Sequence, residues 1–468
     1  MRTSEPVQRP LLNRTLQRVR RLWRDLGNGG EPQTPAGPAL KTEDEAALKR
    51  LMQASVSEHV SEVSARARAA ELGYSYLGLD PEGRRRYLQI LTETLDIDDD
   101  RVTEAAGAYL EAPDGSTRYR LQQAVVPPRV RFVKMLNSLP EGFKFLVDLR
   151  KDLLRFLPES PELEPLDRDL RGLFDLWFDV SLLSFERITW DSPASLLEKL
   201  IAYEAVHKVR SWPELKSRLE DDRRCYAFFH PKMAEEPLIF VQVALTHDTP
   251  DNVQHLLNQF ASEELERATT AVFYSISNTQ QGLSGIGFGP FLLKQVIDDL
   301  TKELPRLKTF VTLSPIPGFV RWLERSSAEG ADAGKAAPLV AAFQEALRGV
   351  GMEGGITALL EHPDWWRQEE LTHVLREPLL ALCAHYLVRE RRPGGKPLDP
   401  VARFHLNNGA QIERINFLAD ASPEGIKQSL GMMVNYEYKL NRIEPNHEKF
   451  VQAGEVVAAP RVKRLLRA

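Results

Sequence analysis

Four glycines within eight residues constrain the fold of this chain more than any other feature. They are Gly282, Gly285, Gly287 and Gly289. They follow the apolar run TAVFYSI at 270–276 and precede the amphipathic run PFLLKQVIDDLTKEL from Pro290, after which comes the β-rich run KTFVTL at 308–313. Strand, glycine loop, helix and strand in this order are typical of a phosphate-binding unit, because glycines let the backbone approach an anion and helix N-terminal amides point at it.

The spacing of these glycines and the residues after them disfavour two familiar phosphate loops. A P-loop requires Lys and Ser or Thr after its last glycine, where Pro290 and Phe291 stand, and a Rossmann fingerprint requires G-x-G-x-x-G rather than G-x-G-x-G. The stretch GFGPFLL at 287–293 instead resembles the pyrophosphate loop of GNAT-type acyl-CoA enzymes, although Ser284 replaces the usual Arg or Gln. A merely flexible strand-to-helix turn is the alternative. The resemblance implies a coenzyme A site at Ser284, Gly285, Ile286, Gly287, Phe288, Gly289 and Pro290.

Composition restricts the class of protein. At 468 residues, two domains are expected, and 43% hydrophobic with 27% charged residues is ordinary globular composition. No segment approaches the roughly 20 apolar residues of a membrane helix, so we expect no membrane partner. A net charge of −5 gives no general attraction to nucleic acid. Cys225 and Cys383 lie in apolar runs and predict buried thiols, too few for a disulfide framework or a cysteine-rich metal site.

The N-terminal third is predicted to be a tail and an all-helical domain. Residues 1–40 are expected to be a disordered basic tail and linker; the Arg-rich start resembles a mitochondrial presequence, but acidic residues interrupt it, so a cytoplasmic location is favoured over the mitochondrial matrix. Residues 41–172 show helical periodicity, with a capping box at Thr42 and Glu45, a helix start at Asp80-Pro81 and a wide apolar stripe at 141–157. Without any ligand constellation, this domain is assigned to oligomerisation.

Beyond about residue 173, the sequence pattern changes from helical to a mixture of helical and β-rich runs. β-rich runs at 225–229 and 238–245 join those beside the glycines, and residues 173–468 are taken as one catalytic domain. A segment from about 325 to 397 is long for a GNAT fold and is interpreted as a helical insertion, whose HPDWW sequence has no assigned chemistry.

Several motifs in this second part resemble one enzyme family. They are FERITWDSP from Phe185, RRCYAFFH from Arg223, FYSISNTQQGLSG from Phe273, LSPIPGFVRWL from Leu313, DPVARFHLNNGAQIERINFLAD from Asp399 and SLGMMVNYEYKL from Ser429. Together and in this order they resemble malonyl-CoA decarboxylase. The resemblance implies a multidomain α and α+β protein, with an N-terminal helical bundle followed by a GNAT-like acyl-CoA-binding catalytic domain. It also implies a homotetramer assembled as a dimer of dimers.

The same resemblance implies the catalytic residues. It assigns the active-site serine to Ser314 and the active-site histidine to His405, with Tyr438 as an accessory donor near the substrate. Taken alone, Ser314 before a proline could cap a turn, His405 could be a core histidine and Tyr438 could be packing. Losing CO₂ from malonyl-CoA pushes electrons into the thioester carbonyl, so we expect no metal or organic cofactor. His405 would protonate the enolate, and Ser314 would bind His405 and the malonyl carboxylate.

Two other functions are compatible with the residues. A GNAT-type acyltransferase would pass an acyl group from coenzyme A to an amine. A non-catalytic acyl-CoA sensor would bind the ligand without turnover. A decarboxylase differs from both because it forms acetyl-CoA and CO₂ without an acceptor.

Overall fold

A computed structural model describes residues 22–23, 38–57, 59–258, 265–287, 289–328, 333–362 and 364–467. Most of the predicted tail at 1–40 and the predicted site residue Phe288 lie outside these ranges. Within the tail, Trp23 is described and is fully buried, with its indole Nε1 donating to the carbonyl oxygen of Pro140 at 2.7 Å. Trp23 also packs edge-on against Phe145.

The described N-terminal part is helical, as the periodicity predicts. Its helices are α1 Thr42–Val56, α2 Glu62–Gly78, α3 Pro81–Thr94, α4 Asp99–Glu111, α5 Gly115–Ala124, α6 Pro128–Asn137, α7 Gly142–Phe156 and α8 Glu164–Trp177. Helix α7 carries the predicted stripe, in which Phe143, Leu146, Val147, Leu149 and Leu153 are buried. Burial of this stripe removes apolar surface from water at about 25 cal/mol per Å².

Two predicted helix starts have different outcomes. The start at Asp80-Pro81 is confirmed: Asp80 is the N-cap of α3, and its carboxylate accepts from the backbone N–H of Gly83 at 2.7 Å. The capping box at Thr42 and Glu45 is wrong by one residue, because Lys41 occupies the N-cap position and Asp44 lies three residues later. Glu45 instead accepts two hydrogen bonds from the Arg86 guanidinium, at 2.8 and 2.7 Å.

The described part of the chain contains one sheet of eight strands. They are β1 Ser184–Ile188, β2 Arg223–Phe229, β3 Pro237–Thr246, β4 Thr270–Asn278, β5 Thr309–Thr312, β6 Ser314–Pro315, β7 Gln411–Asn416 and β8 Met433–Glu437. The strand order is β1-β2-β3-β4-β5-β8-β6, and β7 also pairs with β8. Strands β2, β3 and β4 contain three of the predicted β-rich runs, and β5 lies within the fourth, whereas the other four strands were not predicted.

The predicted strand, loop, helix and strand unit is present. Strand β4 pairs in parallel with β5, with Phe273 opposite Thr312, and helix Gly289–Glu303 lies between the two strands in sequence. Parallel neighbours require such a crossover connection. On one face of this region, Val272, Tyr274, Val311 and Leu313 join a buried apolar cluster.

The remaining helices lie between and after the strands along the chain, and some of them form the predicted insertion. They are α9 Ala194–Tyr203, α10 Trp212–Ser217, α11 Val253–Asn258, α12 Gly289–Glu303, α13 Phe319–Ser327, α14 Ala337–Gly349, α15 Gly355–Glu361, α16 Glu369–Val388, α17 Pro400–Asn407, α18 Pro423–Ser429, α19 Ile443–Ala453 and α20 Pro460–Leu465. Helices α14 to α16 make up most of the 325–397 insertion. This succession confirms the expected helical N-terminal part followed by a mixed α and β part with a helical insertion.

The chain divides into two compact units. One comprises residues 1–184, 229–238 and 278–287, and the other comprises residues 185–228, 239–277 and 288–468. The first unit therefore combines the N-terminal helices with the first half of the glycine loop. Cys225 and Cys383 are free and buried, as predicted. Among the described residues, no helix is long and apolar enough to cross a membrane.

Candidate active site

Helix α17 carries His405 in its last turn. Asp399 is the N-cap of this helix, and its Oδ1 accepts from the backbone N–H of Ala402 at 2.8 Å. Pro400 follows at the first helical position, where the missing N–H costs nothing. Burial raises the pKa of Asp399 to about 6. The local sequence Asp-Pro thus fixes where the helix begins and, five residues beyond Pro400, where the imidazole is placed.

Ser314 is held on a very short strand. β6 consists of Ser314 and Pro315, and Ser314 lies opposite Val434 of β8 in an antiparallel pair. The hydroxyl of Ser314 donates to Thr312 Oγ1 at 2.8 Å and lies 3.1 Å from His405 Nε2. Because Ser314 is only 4% exposed, its hydroxyl is directed into the protein rather than to solvent.

Tyr438 completes a chain of three side chains. Its hydroxyl lies 2.7 Å from His405 Nδ1, and its backbone N–H donates to the Phe310 carbonyl at 2.8 Å, which fixes the residue beside β5. Both ring nitrogens of His405 are therefore occupied by hydroxyl groups. The structure brings together the three residues Ser314, His405 and Tyr438, which the sequence resemblance had selected from distant parts of the chain.

Burial determines the protonation states of His405 and Tyr438. Loss of solvent lowers the pKa of His405 to about 3 and raises the pKa of Tyr438 well above its ordinary value of 10. Near neutral pH, the imidazole is uncharged and the phenol is protonated. Because the Ser314 hydroxyl donates to Thr312, its oxygen is left to accept from the imidazole. This arrangement puts the ring proton on Nε2 and leaves Nδ1 to accept from the Tyr438 hydroxyl.

Tyr436 supports the imidazole from one side. Its ring stacks on His405 with centroids 4.5 Å apart and planes 24° from parallel. The Tyr436 hydroxyl is buried and has no hydrogen-bond partner in the described part of the chain. Sequence reasoning missed this residue, although the alternation in NYEYKL places Tyr436 and Tyr438 on the same face of a strand.

Thr312 and Asn435 form a second support that sequence reasoning missed. The Thr312 hydroxyl oxygen accepts from the Tyr436 backbone N–H at 3.1 Å, in addition to its contact with Ser314. Asn435 Nδ2 donates to the Thr312 carbonyl at 2.8 Å, and Asn435 Oδ1 accepts from Arg414 Nε at 3.0 Å. Because Thr312 and Asn435 are both fully buried, these bonds restrict the position of Ser314.

The predicted coenzyme A loop is divided between the two units. Ser284, Gly285, Ile286 and Gly287 belong to the first unit, whereas Gly289 and Pro290 begin α12 in the second. Gly285 has φ +83°, which only glycine adopts readily, and the space beside Gly287 is open, since an added Cβ would meet no described atom within 4 Å. Ile286 is buried, whereas Ser284 and Gly287 are exposed.

The described residues were also compared with the ligand sets that metal ions require. Across those ranges, no group of three or more His, Cys, Asp or Glu side chains is arranged to hold an ion. His385 is bound to Glu390 at 3.0 Å, and His230 contacts the Trp177 carbonyl, so these two buried histidines have other partners.

Comparisons with known proteins agree over nearly the whole chain. The family model for the malonyl-CoA decarboxylase C-terminal domain matches residues 181–468, and the model for the N-terminal domain matches residues 95–178. The mitochondrial malonyl-CoA decarboxylase of Anser anser anser is 34% identical over 96% of this chain and 93% of its own length. That of Mus musculus is 38% identical over 77% of this chain and 74% of its own.

Solved structures show the same similarity. The crystal structure of malonyl-CoA decarboxylase from Rhodopseudomonas palustris has a TM-score of 0.81 and 40% identity, covering 90% of this chain and 99% of that one. The structure from Agrobacterium vitis has a TM-score of 0.80 and 40% identity, covering 89% and 99%. The chain therefore belongs to the malonyl-CoA decarboxylase family.

Proposed function

We propose that this protein is a carboxy-lyase that converts malonyl-CoA to acetyl-CoA and CO₂ without a metal or an organic cofactor. The observation that carries the proposal is the buried chain of Ser314, His405 and Tyr438, with contacts of 3.1 and 2.7 Å. Family membership supplies the substrate, and this chain of side chains supplies the groups for the reaction. The acyltransferase and the sensor are the outcomes against which the proposal is tested.

The reaction breaks the bond between the carboxylate carbon and the α-carbon of the malonyl group. The electron pair moves into the thioester carbonyl and forms an enolate, so the substrate provides its own electron sink. A proton then adds to the α-carbon. One proton is consumed overall, since the malonyl carboxylate carries a negative charge and CO₂ carries none.

His405 is suited to deliver this proton in a substrate-dependent way. Its pKa of about 3 keeps it neutral in the empty site. A malonyl carboxylate bound at Ser314 would raise that pKa, because a nearby negative charge favours the imidazolium. Departure of neutral CO₂ leaves the negative charge on the enolate, which is a much stronger base than the malonyl carboxylate, so transfer of the imidazolium proton to the enolate carbon is favourable.

Ser314 and Tyr438 act on either side of the imidazole. On substrate binding, the Ser314 hydroxyl turns its single proton from Thr312 to the malonyl carboxylate while its oxygen keeps the contact with His405 Nε2. Tyr438 keeps its contact with Nδ1. Hydrogen-bond donors aimed at a developing oxyanion contribute about 3–4 kcal/mol each in acyl-transfer enzymes. The residues from Ser284 to Pro290, including Phe288, bind the coenzyme A pyrophosphate in this proposal, because the open space beside Gly287 leaves its backbone accessible.

Self-association is a separate part of the proposal. Along α4 and α5, only Ala105 and Ala124 are buried among the described side chains, whereas Leu110 is 80% exposed and Tyr119 is 61% exposed. The exposed apolar side chains of this helical hairpin are suited to contact a second copy of the chain. We therefore retain the homotetramer, a dimer of dimers, as the expected assembly, and the cytoplasm as the expected location, with the mitochondrial matrix as the alternative.

A single incubation tests the reaction. Purified protein treated with a chelator is mixed with malonyl-CoA, without any amine, and acetyl-CoA and CO₂ are followed together. Equal amounts of both products support the decarboxylase. Free coenzyme A formed only after an amine is added would identify a transferase, and binding without products would identify a sensor.

A further inference from the structure

A buried arginine of the helical domain binds the backbone of the glycine loop. Arg150 of α7 is only 2% exposed, and its Nη1 donates to the carbonyl oxygens of Gly282 at 2.7 Å and Ser284 at 3.0 Å. Its Nε donates to Asp167 of α8 at 2.8 Å, which balances the buried charge. All of these residues belong to the first compact unit.

Gly282 brings the loop into direct contact with the same helix. A Cβ at this position would lie 1.8 Å from the Val147 carbonyl oxygen, which no side chain can accommodate. The absence of a side chain therefore lets the 3₁₀ turn Gln281–Leu283 pack against the backbone of α7. This glycine serves packing inside the first unit rather than ligand contact.

A second arginine of the helical domain reaches the next part of the loop. Arg171 of α8 is exposed, and its Nη2 donates to the Gly285 carbonyl at 3.2 Å. A guanidinium has five N–H donors, so four donors are not used by this bond. Arginine is also the side chain best matched to phosphate oxygens, because its planar fork donates two parallel hydrogen bonds.

The arginine contacts determine which way the loop amides point. In a planar trans peptide, the C=O and the following N–H point in opposite directions. Because the Ser284 carbonyl is directed at Arg150, the N–H of Gly285 is directed away from it. Gly285 has a positive φ of +83°, and no described atom lies within 4 Å of a Cβ built on Gly287, two residues further on.

We propose that the helical domain forms part of the phosphate-binding site. Arg150 is a positioning residue that fixes the carbonyls of Gly282 and Ser284, and Arg171 contacts the phosphate groups of a bound acyl-CoA directly. The inference rests on the proposed function of the loop as the coenzyme A site. It assigns a binding role to a domain whose sequence suggests only self-association.

The chain offers a matched control for each arginine. Arg168 is on α8 close to Arg171, is 74% exposed and pairs with Glu164 at 3.4 Å, so Arg168→Gln controls for Arg171→Gln. Arg129 is 4% exposed and pairs with Asp96 and Asp169 at 2.6 Å, so Arg129→Met controls for Arg150→Met. Neither control residue donates to the glycine loop in the described contacts.

The experiment compares two substrates that differ in their phosphates. The KM and kcat of each variant are measured with malonyl-CoA and with malonyl-pantetheine, which lacks the phosphate groups. We expect Arg171→Gln to raise the KM for malonyl-CoA about tenfold, with kcat unchanged and the KM for malonyl-pantetheine unchanged. Arg150→Met should raise the KM for malonyl-CoA at least as much, whereas both controls should behave as the wild type.

Three results would overturn the inference. These are an unchanged KM for malonyl-CoA in Arg171→Gln, an equal increase for both substrates, or an Arg129→Met variant that matches Arg150→Met. If Arg150→Met does not fold, the exposed Arg171 still decides the question. A wild-type protein that binds coenzyme A in calorimetry but does not turn over malonyl-CoA would refute the proposed function alone, and the affinity of the variants for coenzyme A would still test the arginines.

Discussion

The Tyr438 hydroxyl lies 2.7 Å from His405 Nδ1, on the side of the imidazole opposite Ser314. A buried histidine in a hydrolytic triad is usually oriented by a carboxylate, which also stabilises the imidazolium. Here a neutral phenol takes that position. The imidazole is consequently oriented without being permanently biased toward the charged form, in agreement with its low pKa.

Removal of this phenol hydroxyl should slow the reaction without emptying the site. Tyr438→Phe keeps the buried ring but leaves Nδ1 unpaired, so we expect kcat to fall about tenfold or more with little change in KM. Steady-state kinetics at several pH values provide the measurement. Tyr436→Phe is the comparison, because its hydroxyl has no described partner, and its loss should be smaller. Equal losses in both variants would argue against a specific role for Tyr438.

Replacement of the imidazole should affect chemistry far more than binding. His405→Ala is expected to reduce kcat by about 10² or more, as general acid–base groups typically contribute, while coenzyme A affinity measured by calorimetry stays near that of the wild type. His247→Ala is a suitable control, since that side chain is 63% exposed. Unchanged turnover in His405→Ala would remove this residue from the mechanism.

The low pKa of His405 predicts a contribution to acid sensitivity. When the pH falls below 6.5, the ordinary pKa of histidine, the unfolded chain binds a proton at this residue. The folded chain does not bind that proton until about pH 3. Stability from this group is therefore lost as pH falls from about 6.5 toward 3, at up to about 1.4 kcal/mol per pH unit. The raised pKa of Asp399 acts in the opposite direction between 3.8 and about 6.

A variant isolates the histidine effect from that of Asp399. We expect the melting temperature of His405→Asn, relative to the wild type, to rise as the pH is lowered from 7 to 4.5. Both proteins keep Asp399, so its contribution cancels in the difference. A melting-temperature difference that does not vary with pH would contradict a neutral, buried His405.

The open space at Gly287 allows a direct test of the loop. Gly287→Val introduces no clash with described atoms, so the protein should fold normally, whereas the affinity for coenzyme A should fall because a side chain would obstruct a phosphate. Binding is measured by calorimetry and folding by thermal melting. Gly282→Ala, which would clash with the Val147 carbonyl, should instead lower the melting temperature. If Gly287→Val bound coenzyme A as well as the wild type, the loop would be a structural turn.

The exposed hairpin of α4 and α5 predicts that self-association of the chain depends on its apolar side chains. Combined Leu110→Glu and Tyr119→Glu substitutions should lower the mass measured by light scattering at micromolar concentration, because charges disfavour burial of that surface. Val451→Glu, at a position 61% exposed in the second unit, is the control. Substitution is preferable to a chain beginning at Leu173, since such a deletion also removes Arg150 and Arg171. A monomeric full-length protein would refute self-association.

Local sequence signals predicted much of the fold. Asp80-Pro81 identified the start of α3, and the runs at 270–276 and 308–313 correspond to β4 and β5, because caps and apolar runs act through neighbouring residues. The two-residue strand β6 is too short to have a periodicity. The capping pattern at Thr42 was misleading because Lys41 holds the N-cap position, while Glu45 pairs with Arg86, 41 residues away.

The candidate site required more than local signals. Ser314 and His405 are 91 residues apart, and His405 and Tyr438 are 33 apart, so family resemblance rather than spacing selected them. Their supports, Thr312 and Asn435, were missed because the hydrogen bonds that they make to side chains and to backbone groups have no characteristic spacing in the sequence. Arg150 was missed for a similar reason: its partners are carbonyl oxygens more than 130 residues away, and carbonyls have no signature in the sequence.

The contact between Gly282 and the Val147 carbonyl also limits how this family can be recombined. Consider a chimaera that joins the helices of one homologue to the remainder of another, with a crossover near residue 173. In such a protein, α7 and the segment 278–287 that packs against it would come from different parents. Any side chain at the position of Gly282, or any shift in the Val147 turn, would prevent the two parental pieces from closing. Exchangeable blocks in these enzymes should therefore be discontinuous, with residues 278–287 inherited together with the N-terminal helices.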